Sequence, residues 1–182
     1  DTGSGSDIVN IRDISGETVV KGGTDDDEFN VGSFAGYWPD NQGRSRLLNI
    51  NGVLATLAAP LSIYGQDGSD FMNLDNTGGR ADSSAILSNI KLSGLDMSDG
   101  VTYSGLENLD FRLAGTNDTV IVESTHAGNT HISGNGGNEI FNIRNVSGNT
   151  FIAGGTGEDV FNISDDNNVA DGIQGYLELQ GG

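Results

Sequence analysis

Six acidic residues share one local context. Asp7, Asp27, Asp70, Asp118, Glu139 and Asp159 each close a turn containing glycine, and each has a large apolar residue two places later: Val9, Phe29, Met72, Val120, Phe141 and Phe161. Carboxylates beside glycine turns offer two kinds of hard oxygen donor, from side chain and main chain, because a turn without β-carbons leaves its carbonyls open. That donor set suits Ca2+, which takes six to eight oxygen ligands. The spacing is as telling as the residue types. Asp7 and Asp27 are 20 residues apart, as are Glu139 and Asp159, and Asp118 precedes Glu139 by 21. If such acids stack one strand spacing apart, about 4.8 Å, each pair repels by roughly 1–3 kcal/mol at effective dielectrics of about 20–80. A bound cation offsets that repulsion. The other reading of the same residues is conformational: Gly, Asn and Asp are common turn formers, and an acidic surface is often only solvating.

Groups for catalysis are sparse. His126 and His131 are the only histidines, Lys21 and Lys91 the only lysines, and no serine or threonine sits in a nucleophile-elbow context. Acid pairs such as Asp26/Asp27 and Asp165/Asp166 have the composition of a glycosidase dyad. General acid–base cleavage of a polysaccharide, however, also needs a groove on which acids and a base converge. The expectation is a protein that is not an enzyme.

The unit around Asp159, Gly154-Gly155-Thr156-Gly157-Glu158-Asp159-Val160-Phe161-Asn162, matches the nonapeptide G-G-x-G-x-D-x-U-x at every fixed position, U being large and apolar. Degenerate copies lie at Gly3–Val9, Gly22–Phe29, Gly65–Met72, Ala114–Val120 and Gly134–Phe141, with Asp25, Gln66 and Asn135 departing from the glycine pattern. The chain therefore resembles the RTX, or haemolysin-type calcium-binding, repeat family found in large secreted adhesins and extracellular fibre proteins. That resemblance implies a right-handed parallel β-solenoid, with Ca2+ held by equivalent loops of neighbouring coils. The segment Ser104–Asp110 is similar to one that precedes RTX-like repeats.

Elements follow from the spacing. Residues 9–31 align with 141–163 without a gap and agree at 12 of 23 positions, among them Asn10/Asn142, Arg12/Arg144, Gly16/Gly148 and Asp27/Asp159. A coil of about 20 residues is one solenoid rung, here two short strands and two turns. Within 141–161, Phe141–Arg144 alternates apolar and polar, Ser147–Asn149 turns, Thr150–Ile152 is a second strand, and Gly154–Gly157 turns again. Period-two alternation buries one face of each strand. Phe141, Ile143, Phe161, Ile163, Val9, Ile11, Phe29 and Val31 are thus expected inside, and Asn10, Asn30, Asn73, Asn142 and Asn162 in a polar ladder outside. The fold class expected is all-β, a single solenoid module over 1–182 with an irregular insertion at about 32–64. That insertion holds Tyr37-Trp38-Pro39-Asp40, Leu47-Leu48-Asn49-Ile50 and Leu54-Ala55-Thr56-Leu57, aromatics that either pad the core or form a binding surface. Residues 75–113 read as strands without glycine corners.

Composition bounds the partners. The chain has 182 residues, 29 of them glycine, no cysteine, and 26 acids against 8 basic residues for a net charge of −18. Glycine is roughly twice its usual share, as tight corners require. Nucleic acid is excluded as a partner because phosphate neutralisation needs Lys and Arg. No run of 18 apolar residues offers a membrane span. The chain opens inside a motif, as a piece of a longer protein does, and its last residues joined to its first make a strand, a glycine corner and a strand. It is expected to be about one super-repeat of a longer array, stacking head to tail on copies of itself or neighbouring repeats, with a surface or polysaccharide as a further partner. Sequons at Asn117, Asn145 and Asn162 matter only in a eukaryotic secretory pathway. The function expected is a structural, calcium-stabilised module of a secreted adhesin, matrix or adhesive-fibre protein. The alternatives are a carbohydrate-active β-helix enzyme of lyase or epimerase type and a ligand-binding adhesin tip.

Overall fold

Short apolar–polar segments cut by glycine corners leave room for little but short strands, and the computed structural model is all-β. It describes residues 1–33, 35, 38–39, 45–46, 51–164 and 169–182. The strands are β1 (Gly3–Ser4), β2 (Ile8–Ile11), β3 (Thr18–Thr24), β4 (Glu28–Val31), β5 (Trp38–Pro39), β6 (Ser45–Arg46), β7 (Leu61–Asp67), β8 (Phe71–Asp75), β9 (Ser84–Leu87), β10 (Lys91–Gly94), β11 (Val101–Ser104) and β12 (Asn108–Arg112). They continue as β13 (Thr119–Val122), β14 (Asn129–Ser133), β15 (Ile140–Ile143), β16 (Asn149–Ala153), β17 (Val160–Ile163) and β18 (Leu177–Gln180). The helical content among the described residues is one 3-10 turn, Leu54–Thr56. Outside the described residues lie Tyr37, Asp40, Leu47-Leu48-Asn49-Ile50 and Asp165/Asp166, and of Trp38–Pro39 only the pairing of β5 with β6 is described.

Two larger sheets carry the rest. The first runs β1-β3-β7-β11-β10-β9-β13-β15-β17, the second β2-β4-β8-β12-β14-β16-β18. From β2 onward the chain passes back and forth between them, so successive strands of one sheet pair in parallel. The 20-residue period expected from the sequence holds near both ends, where Ile8 pairs with Glu28, Asn129 with Asn149 and Ile140 with Val160. In the middle it lengthens: Glu28 pairs with Phe71 and Phe71 with Asn108.

The middle also departs from uniformly parallel pairing. β9, β10 and β11 form an antiparallel meander within the first sheet. Only Ser88–Ile90 link β9 to β10, too few for the crossover that parallel neighbours need. The return from β10 to β11 runs through Gly94, Leu95, Asp96 and Gly100, all with positive φ. The matching segments 9–31 and 141–163 lie in opposite sheets: β2 and β4 are in the second, their sequence counterparts β15 and β17 in the first.

One apolar cluster fills the space between the sheets, from Ile11, Phe29 and Val31 through Ile63, Leu74, Leu92 and Phe111 to Phe141, Ile143 and Ile152. Val9 and Phe161 pack partly buried against it. Register puts like on like, and the rings of Phe141 and Phe161 stack with centroids 5.2 Å apart. A fully buried Phe contributes about 1.5–3 kcal/mol by leaving water, so a narrow core suffices for short strands. Two expectations of side-chain direction need correction. Ile163, on the edge strand β17, is 40% exposed because no further strand covers it among the described residues. Asn30 and Asn73 are buried, with Arg112 Nη2 donating to Asn73 Oδ1 at 2.8 Å, whereas Asn10 and Asn162 are exposed as expected.

Candidate functional site

The corners that enter the strands gather the six acids into two columns. Asp7, Asp27 and Asp70 immediately precede β2, β4 and β8, whose register sets them side by side at the entry to the second sheet. Glu107, before β12, continues this column. Asp118, Glu139 and Asp159 precede β13, β15 and β17 and line the entry to the first sheet, with Ser83 before β9 in the same row. The changeover occurs at β12, which has an acidic corner on each side.

Each column is wired by main-chain amides. The Asp7 N–H donates to Asp27 Oδ1 (2.8 Å), the Asp27 N–H to Asp70 Oδ1 (2.9 Å) and the Asp70 N–H to Glu107 Oε2 (2.7 Å). In the other column the Ser83 N–H and Oγ both donate to Asp118 Oδ1 at 2.8 Å, and the Glu139 N–H donates to Asp159 Oδ1 at 3.1 Å. The pairs Asp7/Asp27, Asp118/Glu139 and Glu139/Asp159 read from spacing are therefore neighbours, and Asp70 joins the first. Glu107 was not singled out from sequence, since its corner keeps only Gly105 of the motif.

These hydrogen bonds use one carboxyl oxygen of Asp27, Asp70, Asp118 and Asp159, whereas Asp7 contributes its main-chain N–H. The second oxygen, Oδ2 of Asp7, Asp27, Asp70, Asp118 and Asp159, is buried without a hydrogen-bond partner, as are both carboxyl oxygens of Glu139. Asp27, Asp70, Asp118 and Glu139 are at most 2% exposed. An ionised carboxylate so placed is costly unless a proton or a cation joins it.

The glycine five residues before the acid explains where the second oxygen sits. A β-carbon on Gly22 would collide with Asp27 Oδ2, on Gly65 with Asp70 Oδ2, on Gly134 with Glu139 Oε2, and on Gly154 with Asp159 Oδ2. The same positions face a main-chain carbonyl of the neighbouring corner: Gly65 O at Gly22, Gly105 O at Gly65, Gly154 O at Gly134. Carboxylate and carbonyl oxygens thus converge where the first glycine of the motif omits its side chain. Asp118 has Leu113 at this position and lacks the glycine.

Motif departures keep the corner conformation. Asp25, Gln66 and Asn135 have φ of 77°, 84° and 67°, the left-handed region that glycine enters freely. A second rail, missed from sequence, runs one residue ahead of the acids. The Asn117 N–H donates to Asp82 Oδ1, the Asn138 N–H to Asn117 Oδ1 and the Glu158 N–H to Asn138 Oδ1, at 2.8–3.0 Å. The signal was present as Asn117-Asp118, Asn138-Glu139 and Glu158-Asp159: a polar side chain before each acid caps its neighbour's main chain.

Electrostatics follow the burial. Glu139 is pushed up to about 8 by burial first, then by the close approach and charge of the Asp159 carboxylate and by the charge of Asp118, against the lowering effect of the Asp118 main chain. Asp70 is raised as well, by burial and by Asp27, Glu107 and Asp26, against the lowering effect of the Asp27 amide. Among the described residues no three or more His, Cys, Asp or Glu side chains converge into a metal cluster. A cation here would be held by acids of neighbouring corners, with the remaining donors from carbonyls. The orphaned carboxyl oxygens and the glycine cradles fit such a guest chemically. Comparisons with protein-family models, curated proteins and solved structures find no match to this chain.

Proposed function

We propose that this chain is a structural repeat module, a right-handed parallel β-solenoid whose acidic corners are neutralised by Ca2+, belonging to a large secreted adhesin, matrix or adhesive-fibre protein. The observation that carries the reading is that at four corners, those of Asp27, Asp70, Glu139 and Asp159, a buried, unpartnered carboxyl oxygen lies against a glycine whose missing β-carbon makes room for it. Turn formation alone asks for glycine and asparagine but not for a buried carboxylate. Asp27, Asp70, Glu139 and Asp159, with the carbonyls of Gly65, Gly105 and Gly154, are the residues that would hold the ion. Its role is electrostatic: it offsets repulsion along each column and ties one corner to the next. Millimolar extracellular calcium suits weak sites of this kind.

Solenoid modules bury their end faces against neighbours or caps. Strand β17 leaves Ile163 exposed at 40% and Phe161 partly buried, where their register partners Ile143 and Phe141 are fully buried, and β18 leaves Leu177 and Leu179 partly buried, which supports stacking on a neighbouring module or a second copy.

The test is a thermal melt of the purified chain in chelator and in millimolar Ca2+. Ca2+ is expected to raise the melting temperature, with Mg2+ less effective, and Asp159→Ala to shrink that increment. A melting temperature indifferent to chelation sinks the calcium reading.

A further inference from the structure

The outward face of the second sheet carries ordered columns that the calcium reading does not use. Register aligns Phe71, Asn108, Asn129 and Asn149 on successive strands β8, β12, β14 and β16, and Tyr176 follows one residue before β18. The amides bond in series: Asn149 Nδ2 donates to Asn129 Oδ1 at 3.1 Å, and Asn129 Nδ2 to Asn108 Oδ1 at 3.0 Å. Beside them runs a second column, Asp110, His131 and Phe151. His131 Nδ1 lies 3.2 Å from Asp110 Oδ1, and its ring meets Phe151 with centroids 5.1 Å apart. A groove of about 330 Å3 follows these columns across the strands.

The chemistry of this lining is specific. A primary amide has two N–H donors and two acceptor lone pairs, so a serial ladder spends one of each at Asn129 and leaves one of each to face solvent. The donor–acceptor pattern repeats at the strand spacing of about 4.8 Å, close to the length of one pyranose in a linear glycan. Rings stand at both ends and along one side: Phe71, then His131 and Phe151, then Tyr176, which is 60% exposed. Flat apolar faces interleaved with paired donors and acceptors match a sugar, whose C–H face stacks and whose edge of hydroxyls both donates and accepts. Asp110 is the acid of the lining, with the nearby Arg112 as its ion-pair partner and His131 Nδ1 within hydrogen-bond distance. Together with a net charge of −18, this disfavours an anionic polymer.

We infer that the groove over Asn108, Asn129 and Asn149 binds a neutral glycan chain running perpendicular to the strands. This gives the proposed extracellular module a ligand class; none of the six acids nor Glu107 lines the groove, although Phe71 and Asn108 directly follow Asp70 and Glu107 at its edge, and the inference uses no calcium ligand.

Affinity electrophoresis of the full chain tests it, in gels containing hydroxyethyl cellulose, glycol chitin, β-1,3-glucan or dextran, with polygalacturonate as the anionic comparison. Retardation by at least one neutral polymer is expected. The double variant Phe151→Ala/Tyr176→Ala should bind about tenfold more weakly, through loss of ring stacking. Asn129→Ala should weaken binding too, while Lys21→Ala on the other sheet should not; far-ultraviolet circular dichroism checks that each variant is folded. The inference is overturned by no retardation in any neutral gel, by equal retardation of the double variant, by preference for polygalacturonate, or by cleavage of the polymer. Retardation that persists while calcium leaves the melting temperature unchanged would reject the calcium reading and uphold this one.

Discussion

A carboxylate placed where water cannot reach it has two ways to stay in the fold, taking up a proton or taking up a cation. Glu139 shows the competition most clearly, since neither of its oxygens has a hydrogen-bond partner and burial with Asp159 and Asp118 beside it pushes its carboxyl up to about 8. The sign follows from linkage. A carboxyl whose folded value lies above its unfolded one holds its proton more tightly in the native state, so it contributes stability that is complete below about 4.5 and is lost as pH rises through about 8. Asp70 is displaced in the same direction. In chelator, therefore, the melting temperature is expected to fall between pH 5 and pH 8.5. Glu139→Gln, uncharged and of similar shape, should flatten that fall, and Ca2+, which binds the ionised form, should oppose it. A melting temperature that climbs over this range in chelator, or a slope the same in wild type and variant, would show that Glu139 is not held as a buried acid.

At the scale of the element, the corner governs which residues are interchangeable. Gly65 and Gln66 are adjacent, yet their constraints are opposite. A β-carbon at Gly65 would strike the Gly105 carbonyl and Asp70 Oδ2, whereas Gln66 is exposed and holds φ at 84° without needing its side chain there. Gln66→Gly should therefore stabilise the protein by about 1 kcal/mol, the penalty an ordinary residue incurs in the left-handed region, and Gly65→Ala should destabilise it. Urea midpoints compare the two; a destabilised Gln66→Gly would mean the corner is shaped by something other than backbone preference. These corners were legible in the sequence because glycine, the acid and the following apolar residue are each fixed by a local requirement. The strands were legible for the same reason: Phe141, Ile143, Phe29 and Val31 alternate with polar residues and all four are buried. The meander of β9, β10 and β11 was not, since Ile86, Leu92 and Val101 alternate alike whether neighbours run parallel or antiparallel. Only the short Ser88–Ile90 link carries that information. Glu107 was hidden because the column continues by register after the motif has faded, and the burial of Asn30 and Asn73 because tertiary contacts, not the strand's own pattern, decide what covers an outward face.

For the whole molecule, the two columns lie on different connections, one entering each sheet, so the buried carboxyls are divided between two sets of corners instead of gathered in one pocket. Nine strands at about 4.8 Å give a stack roughly 40 Å tall, with net charge −18. Such bodies repel one another at low ionic strength, and an uncovered parallel edge is attractive to another strand only once that charge is offset. Calcium should consequently favour end-to-end association as well as folding. Negative-stain microscopy in millimolar Ca2+ is expected to show rods longer than one 40 Å body, which shorten in chelator at a temperature where circular dichroism still reports sheet. Ile163→Lys, which places a charge on the exposed edge of β17, should shorten the rods while leaving the calcium-dependent rise in melting temperature. Bodies of single length at every calcium concentration would reject stacking between separate copies, and would confine any stacking to modules joined in one polypeptide.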